Sequence, residues 1–240
     1  MTLIFIIGLV LGSFANVLTL RLLQRPLNLW LPSHCPKCKH RLKWFELVPI
    51  VSWCLLKGRC KYCNSGISWV YPALEGTVAT CFVACFSLAD DIFKNCLLSL
   101  LSYLFILVIV MDFREKLILN SLNIAIAMGL FCLQIYEQKN IAYVLVSPLV
   151  VICISVLLKI SFEKFRNLKA LGEGDIKLMG ALSLGLEVSH LPLWFTFSGG
   201  LGLLTGLIWH NIKQEKNFPF GPALIVAFVI TYLNIKTSLK

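Results

Sequence analysis

Asp112 closes one long apolar run, and Asp175, within Gly172-Glu173-Gly174-Asp175-Ile176-Lys177-Leu178, opens another. An ionisable group beside a membrane span is costly and is a functional candidate for that reason. Two of them at span ends can meet at one depth. Two carboxyls that share a proton can activate water and protonate a leaving group, the chemistry of an aspartic protease. Either acid alone is better read as local structure: Asp112 as a solvated residue at a helix end, Asp175 as a helix cap. Together they carry the catalytic reading. Gly172 and Gly174 strengthen it, because they remove side chains beside Asp175 and let another backbone approach. Lys177, two residues on, can pair electrostatically or simply snorkel.

A second constellation lies nearer the N-terminus. Cys35-Pro36-Lys37-Cys38 and Cys60-Lys61-Tyr62-Cys63 form two CxxC pairs with 21 residues between them. Each pair can form a tight knuckle that gives two sulfurs to a tetrahedral ion, so the four read as a structural zinc site. A closed four-sulfur shell leaves no position open for substrate. Such an ion would fold a loop too poor in apolar residues for its own core. His34 and His40 flank the first pair, but four thiolates already fill the shell. Cys54, Cys81, Cys85, Cys96, Cys132 and Cys153 lie mostly in apolar runs and are read as small hydrophobes.

The elements that must position these groups are membrane helices. The 240 residues are 58% hydrophobic and only 14% charged, with a mean hydropathy of +0.81. These values exclude a soluble core wrapped in polar residues. Apolar runs fall at 3–20, 70–89, 95–111, 117–136, 141–158, 176–189, 191–210 and 218–235. The expected fold is therefore an all-α integral membrane protein of about eight transmembrane helices with a cytoplasmic zinc-binding loop. The run at 176–189 is short enough for a tilted or partly re-entrant helix. The first run, without a basic n-region or a small-residue cleavage site, reads as a retained span. The parts expected are a first helix (1–20), a tetracysteine loop (21–69) and a membrane bundle (70–240).

Charge gives the orientation. With eight spans, 18 of the 22 Lys and Arg residues fall on one side, including Arg25, Lys169 and Lys216. Only Lys94, Lys139, Lys236 and Lys240 fall on the other. The basic side is expected to face the cytoplasm, and both acids lie there. This topology accounts for the net charge of +10 without nucleic acid as a partner. Asp90 and Asp91 fall on the outer side as solvated loop residues. The pairs Gly8/Gly12 and Gly202/Gly206 have the spacing that lets helix backbones approach closely in a bilayer.

Several stretches, in order along nearly the whole chain, resemble the bacterial type IV prepilin peptidase family of GxGD aspartic proteases. They are Gly12-Ser13-Phe14-Ala15-Asn16-Val17 with Arg21, the two CxxC pairs, and Glu46-Leu47-Val48-Pro49-Ile50-Val51-Ser52-Trp53. Ser68-Trp69-Val70-Tyr71-Pro72-Ala73-Leu74-Glu75, the Gly172–Leu178 motif and Phe218-Pro219-Phe220-Gly221-Pro222-Ala223 complete the match. The resemblance implies an enzyme of the bacterial cytoplasmic membrane. It would cut the short basic leader from prepilins and pseudopilins, after a Gly, at the cytoplasmic face. It also implies methylation of the new N-terminal residue with S-adenosylmethionine. Glu46 and Glu75 match family positions, where a substrate contact and a structural ion pair are equally open. The chain departs from the family at Ile118-Leu119-Asn120, where Leu-Pro-Asp is usual, so Asn120 receives no catalytic role. Leu171 replaces a common Met. Pro222-Ala223-Leu224 spells a motif of presenilin-type enzymes, but that class lacks the cysteine loop. The reading from another class is a proton-coupled transporter or assembly factor whose zinc loop binds a partner; it predicts no new N-terminus on any pilin.

Overall fold

The computed structural model describes residues 1–22, 32–88, 91–166, 171–215 and 217–238. Arg25, Asp90, Lys169, Lys216 and Lys240 lie outside the described residues. The described chain is helical, with two isolated β-bridges in the cysteine loop. Its helices are α1 (Thr2–Leu22), α2 (Val51–Leu55), α3 (Val70–Leu88), α4 (Ile92–Glu115) and α5 (Asn120–Tyr136). Then follow α6 (Ile141–Arg166), α7 (Glu173–Ser183), α8 (Leu191–Lys213) and α9 (Gly221–Ser238). Each of the eight apolar runs contributes one helix. Helices α1, α3, α4, α6 and α8 are long and apolar enough to cross a bilayer, and α5 and α9 are shorter apolar helices. The chain is an all-α, multi-pass membrane protein with a tetracysteine loop.

The run at 176–189 is helical only as far as Ser183. Leu184 to Leu186 turn out of the helix, and their amides bond back to Ala181, Leu182 and Ser183 carbonyls. Gly185 makes this turn possible by its size. A Cβ there would stand 2.7 Å from Phe228 Cζ and 3.1 Å from Leu130 Cδ2.

Contacts group the chain into two compact units, Met1–Tyr103 and Leu104–Lys240. In the first, α1 lies along α3. A Cβ on Gly8 would fall 2.5 Å from Ala79 Cα, and one on Gly12 would fall 2.7 Å from Glu75 Cα. The two backbones touch where the glycine spacing predicts. Asn16, buried on α1, donates its Nδ2 to the Tyr71 carbonyl at 3.4 Å.

In the second unit the short α7 packs against α5, α6 and α9, and α8 packs against α9. Residues Leu178–Ser183 of α7 are all buried. Trp194 of α8, fully buried, donates its indole N–H to the Leu224 carbonyl of α9. At Gly202 and Gly206 the neighbour is not a backbone: the Phe220 and Phe218 rings fill the space a Cβ would take. Those glycines admit the aromatic segment that leads into α9.

Candidate functional site

Asp112 occupies the last turns of α4, and is 4% exposed. Its Oδ2 accepts the backbone N–H of Gly221 at 2.8 Å. Gly221 is the first residue of α9, so the unpaired amide end of that helix points at the carboxyl, where negative charge is favoured. Asp175 lies in the first turn of α7 and is half-buried. Asp112 and Asp175 belong to the same compact unit, Leu104–Lys240.

Three glycines and one isoleucine frame the acids. A Cβ on Gly172 would meet Asp175 Oδ2 at 2.8 Å, and one on Gly221 would meet Asp112 Oδ2 at 2.8 Å. Gly174 faces Ile118 Cβ at 3.3 Å, while Ile118 Cδ1 comes to 3.3 Å from the same position at Gly221. Ile118 therefore wedges between the starts of α7 and α9. It gets there because α4 ends in a tight turn: Lys116 has φ 53° and its N–H bonds to the Asp112 carbonyl.

Lys177 does not turn to Asp175. Its Nζ donates to Asn120 Oδ1 on α5 at 3.0 Å, tying α7 to the start of α5. At the rim, Lys116 pairs with Glu215 and lies 5.5 Å from the centre of the Trp209 ring, which also stacks on Phe113. Gly221, Ile118 and Asn120 escape a reading of roles from sequence. Gly221 belongs to the Phe218–Ala223 motif, and that motif was the available signal.

The acids of the first unit have local tasks. Glu46, buried, accepts the Lys43 backbone N–H at 2.8 Å. Glu75, buried on α3, accepts the Ile50 backbone N–H at 2.7 Å. Both carboxylates are met by amides, a common way to hold a buried acid.

The cysteine loop is built from two copies of one knuckle. Cys35 N–H bonds to the His40 carbonyl and Cys60 N–H to the Ser65 carbonyl. Lys39 and Asn64, each one residue past the second cysteine, have φ of 58° and 54°. Bridges His34–Arg41 and Arg59–Gly66 close the two hairpins. The four sulfurs lie within 4.8 Å of one another, and Cys35 Sγ to Cys63 Sγ is 3.8 Å. A tetrahedron with Zn–S of about 2.3 Å has an S–S edge of about 3.8 Å, so the donor set fits a metal ion. His34 bonds toward the Pro32 carbonyl, and His40 packs at a tilt on the Tyr62 ring. The histidines stand outside the cluster.

The thiols behave as a crowded donor set. A backbone hydrogen bond from Cys38 leads the effects that draw Cys35 down to about 6. The Ser65 hydroxyl lowers Cys63. Cys38 has a backbone hydrogen bond from His40 in its favour, but desolvation and the three neighbouring sulfurs outweigh it and push the thiol up to about 11. Four sulfurs this close cannot all ionise without a cation.

Residues 6–89 match the family model for the bacterial peptidase A24 N-terminal domain, and residues 99–207 match that of the type IV leader peptidase family. A prepilin leader peptidase/N-methyltransferase of Bacillus subtilis is 31% identical over 97% of this chain and 94% of its own length. One from Vibrio cholerae is 29% identical over 96% and 95%. One from Dickeya chrysanthemi is 27% identical over 93% and 89%. No solved structure is significantly similar to the chain.

Proposed function

From the premise that this chain belongs to the type IV leader peptidase family, we propose that Asp112 and Asp175 are the catalytic dyad of a membrane prepilin peptidase. The enzyme removes the leader from prepilins and pseudopilins and then N-methylates the new N-terminal residue. One carboxylate takes a proton from water, whose oxygen attacks the scissile carbonyl carbon. The other, protonated, donates to the carbonyl oxygen. Collapse of the tetrahedral adduct breaks the C–N bond, and a proton from the dyad goes to the leaving amine.

The observation that carries this reading is the framing of both carboxyls by Gly172, Gly221 and Ile118 in one compact unit. Gly172 and Gly174 keep the start of α7 bare. Lys177, through Asn120, fixes α7 against α5 and so aims Asp175. The bias of basic residues supports the cytoplasmic face of the bacterial inner membrane as the side of the dyad. Glu46 and Glu75 act as structural acids of the first unit.

Cys35, Cys38, Cys60 and Cys63 would hold zinc, which supplies a rigid cross-link between the two knuckles. The functional parts are a first helix (1–20), the zinc loop (21–69) and the peptidase bundle (70–240). S-adenosylmethionine is the methyl donor for the second reaction.

The test is to incubate membranes bearing the protein with a prepilin and sequence the product N-terminus, with and without methyl donor. Asp112→Ala and Asp175→Ala should each abolish cleavage while the protein stays in the membrane. Cleavage by either variant at the parent rate would remove the dyad.

A further inference from the structure

The loop that carries the cysteines is held at the membrane end of α3 by an unusual device. Pro49, Ile50 and Val51 form a tight turn in which the Val51 N–H bonds to the Pro49 carbonyl, with Ile50 at φ 57° and ψ −49°. That is the rare, strained γ-turn, and Ile50 is β-branched, the kind of residue least suited to it. The strain persists because Glu75 takes the Ile50 N–H at 2.7 Å. The Ile50 side chain in turn reaches Gly76.

Glu75 lies five residues into α3, a helix long and apolar enough to span. At 1.5 Å per residue that is roughly 7 Å past the helix start. With α3 as a span, this contact fastens the start of α2 near the depth where headgroups meet acyl chains.

The surface that α2 and the preceding 3-10 turn present there is apolar. Trp44 is 80% exposed, Leu55 78% and Trp69 70%. Leu47, Val51 and Cys54 are exposed as well. Trp44 and Leu47 on the 3-10 turn and Val51, Cys54 and Leu55 on α2 are the exposed groups, on either side of the Pro49–Val51 turn. Ser52 and Trp53 of α2 are less exposed: the Ser52 hydroxyl bonds the Val48 carbonyl, and the Trp53 indole bonds the Ile67 carbonyl. An outward apolar face is the reverse of what a loop in water would show. Trp69, directly before α3, continues the face into the span, where Trp is favoured.

Beside Leu55 opens a cleft of about 530 Å³ lined by Leu55, Leu56, Lys57, Arg59, Lys61 and Asn64, with Cys60 of the cysteine cluster also on its wall. Among the described residues, Lys57, Arg59 and Lys61 make no ion pair, and no acid lines the cleft. Three cations next to an apolar ridge match the phosphate and acyl chain of an anionic phospholipid.

We propose that Trp44–Leu55 is an interfacial segment that lies in the leaflet at the N-terminal end of α3, with an anionic lipid headgroup in the Lys57/Arg59/Lys61 cleft. The cysteine knuckles are thereby moored to the bilayer surface. This inference depends on α3 spanning and is independent of the aspartate dyad.

The test uses the full-length protein reconstituted in vesicles that contain phosphatidylglycerol or phosphatidylcholine bearing a diazirine in the acyl chain. After photolysis, lipid adducts are mapped by peptide mass spectrometry. The expected result is adducts within 44–55 as well as in α1 and α3, several-fold more abundant with phosphatidylglycerol. Replacing Lys57, Arg59 and Lys61 together by Gln should erase that preference while one metal ion per chain is retained. Labelled α1 and α3 with an unlabelled 44–55 would overturn the proposal, as would an unchanged preference in the triple variant. Loss of the adducts when excess prepilin is added would give the face to substrate instead, and also overturn it.

Discussion

Gly221 and Gly172 are the smallest parts of the candidate site and the most sensitive. Each leaves a space that a carboxylate oxygen occupies 2.8 Å from where a Cβ would stand. In Gly221→Ala or Gly172→Ala, the acid is the group that moves, since the alternative is a shift of a whole helix. A displacement near 1 Å costs on the order of 100-fold in rate. We expect a loss of that size in kcat for prepilin cleavage, with KM and membrane level near parent values, read by initial rates in proteoliposomes.

The acids also predict a pH profile. With Asp112 and Asp175 as the proposed dyad, activity needs a single proton on the pair: raising pH removes it and lowering pH adds a second. kcat/KM should fall on both sides of an optimum, and the two limbs belong to the pair. A profile with one limb would mean a single working carboxyl. Asp112 and Asp175 are legible in the sequence because charge in an apolar run is an anomaly. Gly221 is not, because its partner lies 109 residues away and a glycine in a membrane helix has many commoner explanations. The Lys177–Asn120 contact is hidden for the same reason: proximity to Asp175 in the chain says nothing of α5.

At the scale of elements, each of the eight apolar runs marks a helix, seven of them long and α7 short, and what the runs do not show is how each helix meets its neighbours. Gly8/Gly12 and Gly202/Gly206 have the same spacing, yet one pair meets a backbone and the other meets two phenyl rings. Spacing records that small residues are needed, not what fills the room. The end of α7 at Ser183 was equally hidden, because an apolar run continues through a turn whose amides are satisfied locally.

The difference can be measured. Gly8→Ala pushes a methyl into the Ala79 backbone and should destabilise the α1–α3 pair by about 1–3 kcal/mol. Gly199, also helical, has nothing within 4 Å of a new Cβ, so Gly199→Ala should be neutral or gain roughly 1 kcal/mol from helix propensity. Thermal unfolding in detergent, compared across both variants, checks the contrast. For the cysteine loop, the paired spacing is enough to read both knuckles, because each four-residue CxxC pair closes locally. Removing the ion with a chelator should open residues 32–69 to protease while the helical signal in circular dichroism stays nearly constant.

For the molecule as a whole, the informative fact is where the chemistry falls. The aspartates lie in the unit Leu104–Lys240, and the four cysteines in Met1–Tyr103. A dyad that only hydrolyses has no part in methyl transfer to a free amine. On an intact prepilin, Asp175→Ala should stop both reactions, because no N-terminus is released. Given a pilin whose leader has already been removed, the same variant should still transfer a methyl group at close to the parent rate. The assay is incorporation of labelled methyl from S-adenosylmethionine into the two substrates side by side. If Asp175→Ala fails on the pre-cleaved pilin while remaining folded and metal-loaded, the two activities share that carboxyl, and the assignment of Asp175 to hydrolysis alone falls.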